Sequence, residues 1–223
     1  MRVAICQSNY IPWKGYFDMI ASVDAFVLYE DVQYTRRDWR NRNKIVTPAG
    51  VKWLTVPVRT KGKYEAPVCE IEVDGDEWRS GHMAQLQYSY RNAPYFERFA
   101  PALRELYAMQ FRRISHVNRA FLFAICGWMG IHTNLHDSRE FSAKGEKTER
   151  LLAILKKLNA TTYVSGPAAK VYLDCPLLKA HGIEVEWKNY EYPAYPGMAE
   201  HSVSVLDMLF NVGAEEKYWR CKQ

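Results

Sequence analysis

A polar, aromatic-rich loop near the start of the sequence carries groups that could bind or convert a ligand. The stretch QSNYIPWKGYFDMI (residues 7–20) brings amide, phenol, indole and ammonium side chains together directly after a short apolar run. Pro12 stiffens the loop, and Gly15 lets a following helix begin close to a sheet, where its first amide groups would attract an anion. An aromatic-rich turn has a similar composition, but we predict a ligand site here, whose members are Gln7, Asn9, Tyr10, Trp13 and Lys14.

A second polar group follows the next apolar run of the sequence. Glu30, Asp31, Gln33 and Tyr34 stand directly after DAFVLY. Asp31 could bind a hydroxyl, an amine or a metal, or act as a base. A strand-end Asx turn is the structural alternative for the same residues.

The third stretch is strongly basic. RRDWRNRNK (residues 36–44) contains Arg36, Arg37, Arg40, Arg42 and Lys44 and interleaves them with a tryptophan and two asparagines. Arginine forks suit phosphate, and an aromatic neighbour suits the face of a base or sugar. We therefore favour phosphate binding over a merely solvated basic loop, whether the phosphate belongs to a nucleotide, a carrier arm or RNA.

The fourth stretch, YVSGPAAKVYL (residues 163–173), has the pattern of a strand, a Ser165-Gly166-Pro167 turn and a helix. Such a turn can bind an anion or a hydroxyl, with Lys170 one turn into the helix. The pattern is not a G-x-S-x-G elbow, and no histidine or aspartate partner can be assigned, which argues against a nucleophilic Ser165.

These stretches need a sheet to bring them together. RVAICQ (2–7) and DAFVLYE (24–30) predict strands, and GYFDMIASV between them has the spacing of a helix. A right-handed crossover would make the two strands parallel neighbours, and the loop at residues 8–14 would lie at the carboxyl edge, where open α/β sheets bind ligands.

The middle of the chain predicts an insertion. KIVT and VKWLTVPV flank a PAG turn and indicate a β-hairpin, and CEIEV (69–73) indicates a further strand. Helices are expected over residues 78–90, 95–109 and 115–130, with Phe121, Phe123 and Trp128 in the core. We predict a single α/β domain over residues 1–223, with residues 76–130 as a helical subdomain.

The last third returns to alternating strands and helices. HTNLHDS, TTYVSG and IEVEWKNY predict strands, and EKTERLLAILKKLNA predicts an amphipathic helix with its leucines inward. SVSVLDMLFNVG ends in a helix for which Gly213 is a suitable C-cap. The fold class is therefore α/β, with a mostly parallel, open, Rossmann-like sheet.

Composition narrows the functional classes. The chain of 223 residues is 48% hydrophobic, lacks an apolar run long enough to span a membrane and lacks the pattern of a signal peptide, so we expect a cytoplasmic protein without membrane insertion. Its five cysteines and six histidines are scattered, which suggests neither a disulfide framework nor a metal site. Residues 36–63 hold nine cationic residues and one acidic residue, which indicates an anionic partner.

Together, five stretches resemble the WbqC-like family of bacterial proteins. They are QSNYIPWKGYFDMI, YEDVQYTRRDWRNRNKI, WLTVPV, YVSGPAAKVYL and SVLDMLFNVG. The resemblance implies a role in polysaccharide or O-antigen biosynthesis. It places family positions on Gln7, Asn9, Tyr10, Pro12, Trp13, Gly15, Tyr16, Asp31, Gln33, Arg37, Asn41, Arg42, Asn43, Ser165, Gly166 and Tyr172. The family often has a histidine and a proline around the first glutamine, and here Cys6 and Ser8 hold those places.

The opening strand, N-x-x-P-x-x-G-Y and helix also look like the start of the HIGH-type nucleotidyltransferases. In those enzymes paired histidines contact nucleotide phosphates, whereas Trp13 and Tyr16 stand at the corresponding positions here. If that fold is shared, phosphate contacts would pass to Lys14 and the arginines.

We expect a transferase that moves an acyl or aminoacyl group to a nucleotide-linked amino sugar or a similar phosphorylated intermediate. The expected catalytic residues are Gln7, Tyr10, Lys14 and Asp31, with Asp31 accepting the amine or hydroxyl proton. Arg37 and Arg42 would hold phosphate, and Tyr10 and Trp13 would stack on the substrate. The alternatives are a nucleotidyltransferase or acyl-adenylate-forming enzyme, and a non-catalytic module that binds a carrier protein or RNA. No pattern identifies a cofactor.

Overall fold

A five-stranded parallel sheet forms the centre of the molecule, and two antiparallel strand pairs and seven α-helices surround it in the computed structural model, which describes residues 1–221. The strands are β1 (Arg2–Cys6), β2 (Ala25–Leu28), β3 (Arg42–Thr47), β4 (Gly50–Thr55), β5 (Val58–Arg59), β6 (Glu72–Val73), β7 (Asn134–Asp137), β8 (Thr162–Ser165) and β9 (Glu184–Trp187). The helices are α1 (Lys14–Ala21), α2 (Glu77–Tyr90), α3 (Phe96–Ala108), α4 (Ile114–Trp128), α5 (Lys147–Lys157), α6 (Cys175–Ala180) and α7 (Val205–Val212).

The strand order places a topological switch point between β1 and β8. The order is β7-β2-β1-β8-β9, so the chain builds outward from β1 in one direction and then returns to its other side. β1 pairs with β2 over four positions, but with β8 only at Arg2↔Thr162 and Val3↔Tyr163. The two central strands therefore separate toward their carboxyl ends, where such sheets bind ligands.

Alternating residues of the strands face two separate cores. Val3, Ile5, Ala25 and Val27 pack with the leucine-rich face of α5. Ala4, Phe26 and Leu28 face the larger core, which is formed with α1, α7 and the inserted helices. Both faces of the sheet are thus covered, as expected for parallel strands rich in apolar residues.

The insertion joins β2 to β7. It contains the β3–β4 hairpin, the short β5–β6 pair and helices α2, α3 and α4. The hairpin agrees with the sequence prediction, and its inward side chains alternate with outward ones along β3. The division into one domain with a helical subdomain stays a prediction.

A segment rich in tyrosine crosses the start of α1. This tyrosine segment (residues 188–204) connects β9 to α7 without regular secondary structure. The backbone amide of Ser204 donates to the carbonyl of Lys44, and that of Val205 at the start of α7 donates to the carbonyl of Pro12. The tyrosine segment therefore links the β3–β4 hairpin to the loop between β1 and α1 (residues 7–13), which we call the opening loop.

Several local predictions need correction. Phe123 was expected in the core, but its place on the outer face of α4 leaves it 47% exposed and in contact with the Arg119 guanidinium. The predicted strand at 69–73 is a 3-10 turn at Val68–Glu70 followed by only two strand residues. The sequence prediction did not include α6, which begins with an Asp174 cap and a proline.

No helix within residues 1–221 has both the length and the apolar character needed to cross a membrane.

Candidate functional site

The ends of β1 and β2 place the first two predicted groups side by side. The Gln7 side-chain amide donates to the carbonyl of Gln33 at 3.1 Å. The Gln33 amide donates in turn to the carbonyl of Tyr64 at 2.9 Å. The parallel pairing of the strands explains this meeting, because Cys6 is in register with Leu28 and both loops leave the same edge of the sheet.

Asp31 lies at this edge in a network of charged and polar groups. One carboxylate oxygen accepts a hydrogen bond from the Ser138 hydroxyl, at the end of β7. The other contacts the Arg150 guanidinium of α5 at 2.5 Å. Arg150 also lies over the Tyr29 ring, at 5.7 Å from its centre. Asp31 therefore holds an arginine at the edge of the sheet while about a fifth of its side chain stays exposed.

Glu30 is buried beside this edge. It is 2% exposed, and neither of its carboxylate oxygens makes a well-directed hydrogen bond within the described part of the chain. Burial raises its pKa to about 7, and the nearby Ser8 hydroxyl and the Arg139 and Arg40 charges offset only part of this effect. Glu30 therefore titrates near neutral pH but has no direct access to solvent.

The arginines of the basic stretch surround a cavity of about 410 Å³. Arg36, Arg37 and Arg42 line it, together with Tyr34, Asn41, Thr60 and one acidic residue, Asp74. The Asp74 carboxylate is paired with the Arg59 guanidinium at 2.9 Å. Arg36 donates to the carbonyl of Thr60 at 2.6 Å, and Arg42 donates to the carbonyl of Arg37. We call this space the arginine cavity; its three guanidinium groups could bind a phosphate or diphosphate.

A chain of contacts joins the arginine cavity to the sheet edge. The Arg36 guanidinium lies 4.3 Å from the centre of the Tyr64 ring, and the carbonyl of Tyr64 accepts the Gln33 hydrogen bond. Gln33 in turn contacts Gln7. Groups for anion binding and polar groups at the strand ends therefore form one continuous region.

A second cavity, of about 310 Å³, lies between the opening loop, the start of the hairpin and the tyrosine segment. Its walls are Asn9, Pro12, Trp13, Trp39, Asn43, His201 and Ser202. The Asn43 side chain donates to the carbonyls of Tyr10 and Ile11 and thereby fixes the loop to the hairpin. Asn41 has a similar structural role, because its amide donates to the carbonyl of Val56.

Tyr10 and Tyr16 were expected at the site, but both rings point into the protein. Tyr10 is fully buried, and its hydroxyl contacts His82 Nδ1 at 2.9 Å and the Tyr107 hydroxyl at 2.6 Å. The Tyr16 hydroxyl donates to the carbonyl of Gln7 at 3.0 Å. Both tyrosines fix the backbone of the opening loop, and neither presents a face on which substrate could stack.

Lys14 is also placed away from the sheet edge. Its side chain lies under the tyrosine segment, with the ammonium 4.9 Å from the centre of the Tyr192 ring and 5.0 Å from that of Tyr195. Lys14 is 2% exposed, and burial lowers its pKa to about 8. Asp207, whose oxygens accept the hydroxyls of Tyr90 and Tyr195, supplies the nearby negative charge. This environment points to a structural role for Lys14.

Trp13 covers the first turn of α1, where the sequence predicted an anion site. A Cβ atom at Gly15 would lie 2.4 Å from the Trp13 indole, so only glycine leaves the ring in this position. The indole also meets the rings of Tyr190 and Tyr192 edge to face. The helix start is therefore packed against aromatic side chains.

Ser165 and Gly166 lie at the end of β8, across the switch point from β1. Ser165 is 6% exposed, and its carbonyl accepts the backbone amide of Lys188. A Cβ atom at Gly166 would lie 3.5 Å from the Tyr190 hydroxyl and 3.8 Å from the end of the Met19 side chain. The two residues thus contribute backbone to the carboxyl edge, while the Ser165 side chain has little exposure.

Sequence reasoning missed Arg150 and Ser138, which hold Asp31. Arg150 is 119 positions from Asp31 and lies on a helix that reads only as amphipathic. Its position in the first turns of α5, the first α-helix after the strand β7 that neighbours β2, is the one signal that could have identified it. Among residues 1–221, no group of three or more His, Cys, Asp or Glu side chains is arranged to hold a metal ion.

Comparison with known proteins supports the sequence resemblance. The chain is 45% identical to "Uncharacterized protein Rv1507c" of Mycobacterium tuberculosis (strain ATCC 25618 / H37Rv) over 219 residues, which cover 96% of this chain and 95% of that protein. No solved structure matches the chain significantly. The model of the WbqC-like protein family matches residues 7–218. The chain therefore belongs to the WbqC-like protein family.

Proposed function

We propose that this protein is a group-transfer enzyme whose substrate carries a phosphate or diphosphate. The observation that carries the proposal is the continuity between the arginine cavity and the polar strand ends, through Arg36, Tyr64, Gln33 and Gln7. An anionic handle held in the cavity would place the rest of a small molecule along the carboxyl edge of β1 and β2. Binding energy from such a non-reacting handle can be used to orient the reacting group.

Asp31 is the carboxylate that could contact the acceptor. Each of its oxygens retains a lone pair beyond those used by Ser138 and Arg150, so it can accept a hydrogen bond from an amine or hydroxyl. In the proposed reaction the acceptor nitrogen or oxygen attacks a carbonyl carbon, its proton passes to Asp31, and the donor's leaving group departs. Arg150 would balance the negative charge that develops on the carbonyl oxygen.

The acceptor class that fits best is an amino sugar linked to a nucleotide, and the transferred group an acyl or aminoacyl group. Its diphosphate suits the cluster of three arginines, and its amine suits Asp31. Membership of the WbqC-like family is compatible with a role in surface polysaccharide or related biosynthesis. Tyr10 and Lys14, both buried elsewhere, have no part in this proposal.

Nucleotidyl transfer is the second candidate function. The strand order, with β1 central and the opening loop at its carboxyl end, favours nucleotidyl transfer as an arrangement that can hold a nucleoside triphosphate. The place of Trp13 against Tyr190 argues against direct phosphate contact at the helix start. Consumption of ATP or CTP would distinguish this candidate from acyl transfer.

A thermal-shift screen of nucleotide sugars, nucleoside triphosphates and coenzyme A tests the proposal. A ligand that binds only the folded chain raises its melting temperature. We expect stabilisation by diphosphate-containing ligands and its loss in Arg42→Gln. Arg91→Gln, which removes an exposed charge at the end of α2, is the matched control. Equal stabilisation of parent and Arg42→Gln by every ligand would contradict the proposal.

A carrier protein or RNA would produce a different result. A non-catalytic module would bind such a polymer through the basic stretch, with an affinity that falls steeply as salt concentration rises. It would leave small-molecule pools unchanged. Strong polymer binding without any stabilisation by diphosphate ligands would therefore replace the proposed enzyme with a binding module.

A further inference from the structure

The cavity beside the opening loop has two tryptophan walls. Trp13 and Trp39 both line this space of about 310 Å³, which lies between the loop, the hairpin and the tyrosine segment. Trp39 is 36% exposed and is therefore reachable by a ligand. Because indole rings offer flat apolar faces, a pair of them on one small cavity suits a flat ring.

The polar groups of this cavity are mostly engaged by the protein itself. The Asn43 amide binds two loop carbonyls, and its oxygen accepts the backbone amide of Lys44. The Asn9 oxygen accepts from Arg40, and the Ser202 hydroxyl donates to Glu200. A sugar with several hydroxyls would leave many of them unpaired here, which is costly on burial.

An aromatic heterocycle fits these conditions better. It needs few hydrogen bonds, and within residues 1–221 the Asn9 amide nitrogen and the His201 ring have no hydrogen-bond partner, so they could contact its edge. Burial, and to a smaller extent the Lys14 charge, lowers the pKa of His201, which favours the neutral ring with one donor and one acceptor.

Positive charge lies next to the tryptophan walls. The Trp39 ring is 5.3 Å from the Trp53 ring, and the Arg42 guanidinium lies 4.3 Å from the centre of Trp53. Arg42 also lines the arginine cavity. A ligand with its flat ring beside Trp39 could therefore extend its anionic part over Trp53 toward Arg42.

We infer that the cavity between Trp13 and Trp39 binds the nucleobase of a nucleoside diphosphate or of its sugar derivative. This inference rests on the proposed function, because it assigns the aromatic part of a substrate whose diphosphate the arginines would hold. It assigns Trp39 as the residue that provides the stacking surface, and Asn9 and His201 as the residues that contact the edge of the base.

Calorimetric titration with the four common nucleoside diphosphates, their nucleosides and inorganic pyrophosphate tests the inference. We expect at least one nucleoside diphosphate to bind more tightly than pyrophosphate. Trp39→Ala should weaken its binding roughly 5- to 150-fold, the range for loss of one stacked base, and should leave pyrophosphate binding unchanged. Trp39→Phe should retain most of the affinity, and Tyr88→Ala, an exposed aromatic change on α2, should have no effect.

The titrations also separate this inference from the proposed function. Pyrophosphate binding with no advantage for any nucleoside diphosphate would overturn the nucleobase site and leave the phosphate site standing. Unchanged nucleotide binding in Trp39→Ala would also overturn the nucleobase site. Binding of a nucleoside without added affinity from its phosphates would support the nucleobase site and contradict the diphosphate role of the arginines.

Discussion

Glu30, a buried carboxyl group, makes the stability of this protein depend on pH. Glu30 titrates near pH 7 in the folded chain and near 4.5 when exposed. Between these two pH values the folded state binds more protons than the unfolded state. The contribution of Glu30 to the free energy of unfolding therefore falls as the pH rises.

The variant Glu30→Gln should remove this contribution. At pH 8 we expect it to be more stable than the parent by up to roughly 3 kcal/mol, and the difference should shrink toward pH 5. Urea unfolding of both proteins across pH 5–8 measures this difference in the free energy of unfolding. A stability difference that does not change with pH would contradict the buried, unpaired state of Glu30.

Lys14 should produce the opposite trend at alkaline pH. Burial lowers its pKa to about 8, so above pH 8 the folded state binds fewer protons than the unfolded state. The parent should therefore gain stability relative to Lys14→Met as the pH rises from 8 toward 10. The free energy of unfolding of both proteins, measured at pH 7.5 and 9.5, tests this. An equal difference between the two proteins at both pH values would mean that the Lys14 ammonium contacts water rather than lying beneath Tyr192 and Tyr195.

An ion pair joins the turn after β2 to α5, in addition to the apolar contacts of Ala25 and Val27 with that helix. A guanidinium nitrogen of Arg150 lies 2.5 Å from a carboxylate oxygen of Asp31. The Asp31 side chain is 20% exposed and the Arg150 side chain 24%. We expect a double-mutant cycle with Asp31→Asn and Arg150→Ala to give a coupling free energy of about 1 kcal/mol in unfolding experiments. Strictly additive effects would show that the pair does not hold the two elements together.

The first turn of α1 requires glycine because an indole lies against it. Gly15→Ala would place its methyl group in the Trp13 ring, so we expect the ring to move and ligand binding at the Trp13–Trp39 cavity to weaken. Gly81→Ala is the matched control, because Gly81 is an exposed position of α2 with open space around it. This variant should gain roughly 0.5–1 kcal/mol in stability. Equal behaviour of the two variants in unfolding and nucleotide titrations would contradict this packing.

The regular elements were largely predictable because their signals are local. The apolar runs at 2–7 and 24–30 and the helical spacing between them gave the first β-α-β unit, and parallel pairing then required Gln7 and Asp31 to share an edge. The PAG turn likewise indicated the β3–β4 hairpin. Short-range patterns could not show that only two residues of strand remain after Glu70.

The directions of the site side chains were less predictable because distant segments decide them. The Tyr10 ring points into the protein because its hydroxyl forms hydrogen bonds with His82 and Tyr107, which lie in the inserted helices. Lys14 is covered by Tyr192 and Tyr195 of the tyrosine segment, which lies in the last part of the sequence. A polar loop has the same local composition whether its aromatic rings face a ligand or a core.

Across the whole molecule, the sheet and its insertion place positive charge beside a carboxyl edge. Nine of the cationic residues lie between positions 36 and 63, and three of the arginines meet at the arginine cavity. The insertion between β2 and β7 thus supplies the arginines of the proposed anion site, and the carboxyl edge of the sheet supplies Gln7 and Asp31. The central claim is that these two parts form one site for a phosphate-bearing substrate.

Calorimetric titration with a diphosphate-linked amino sugar at low and moderate salt tests this claim most directly. The account predicts binding by the parent and by Arg91→Gln, and a loss of affinity of at least roughly tenfold in both Arg42→Gln and Asp31→Asn, because one variant removes a phosphate contact and the other an amine contact. Equal affinity in all four proteins would contradict the account.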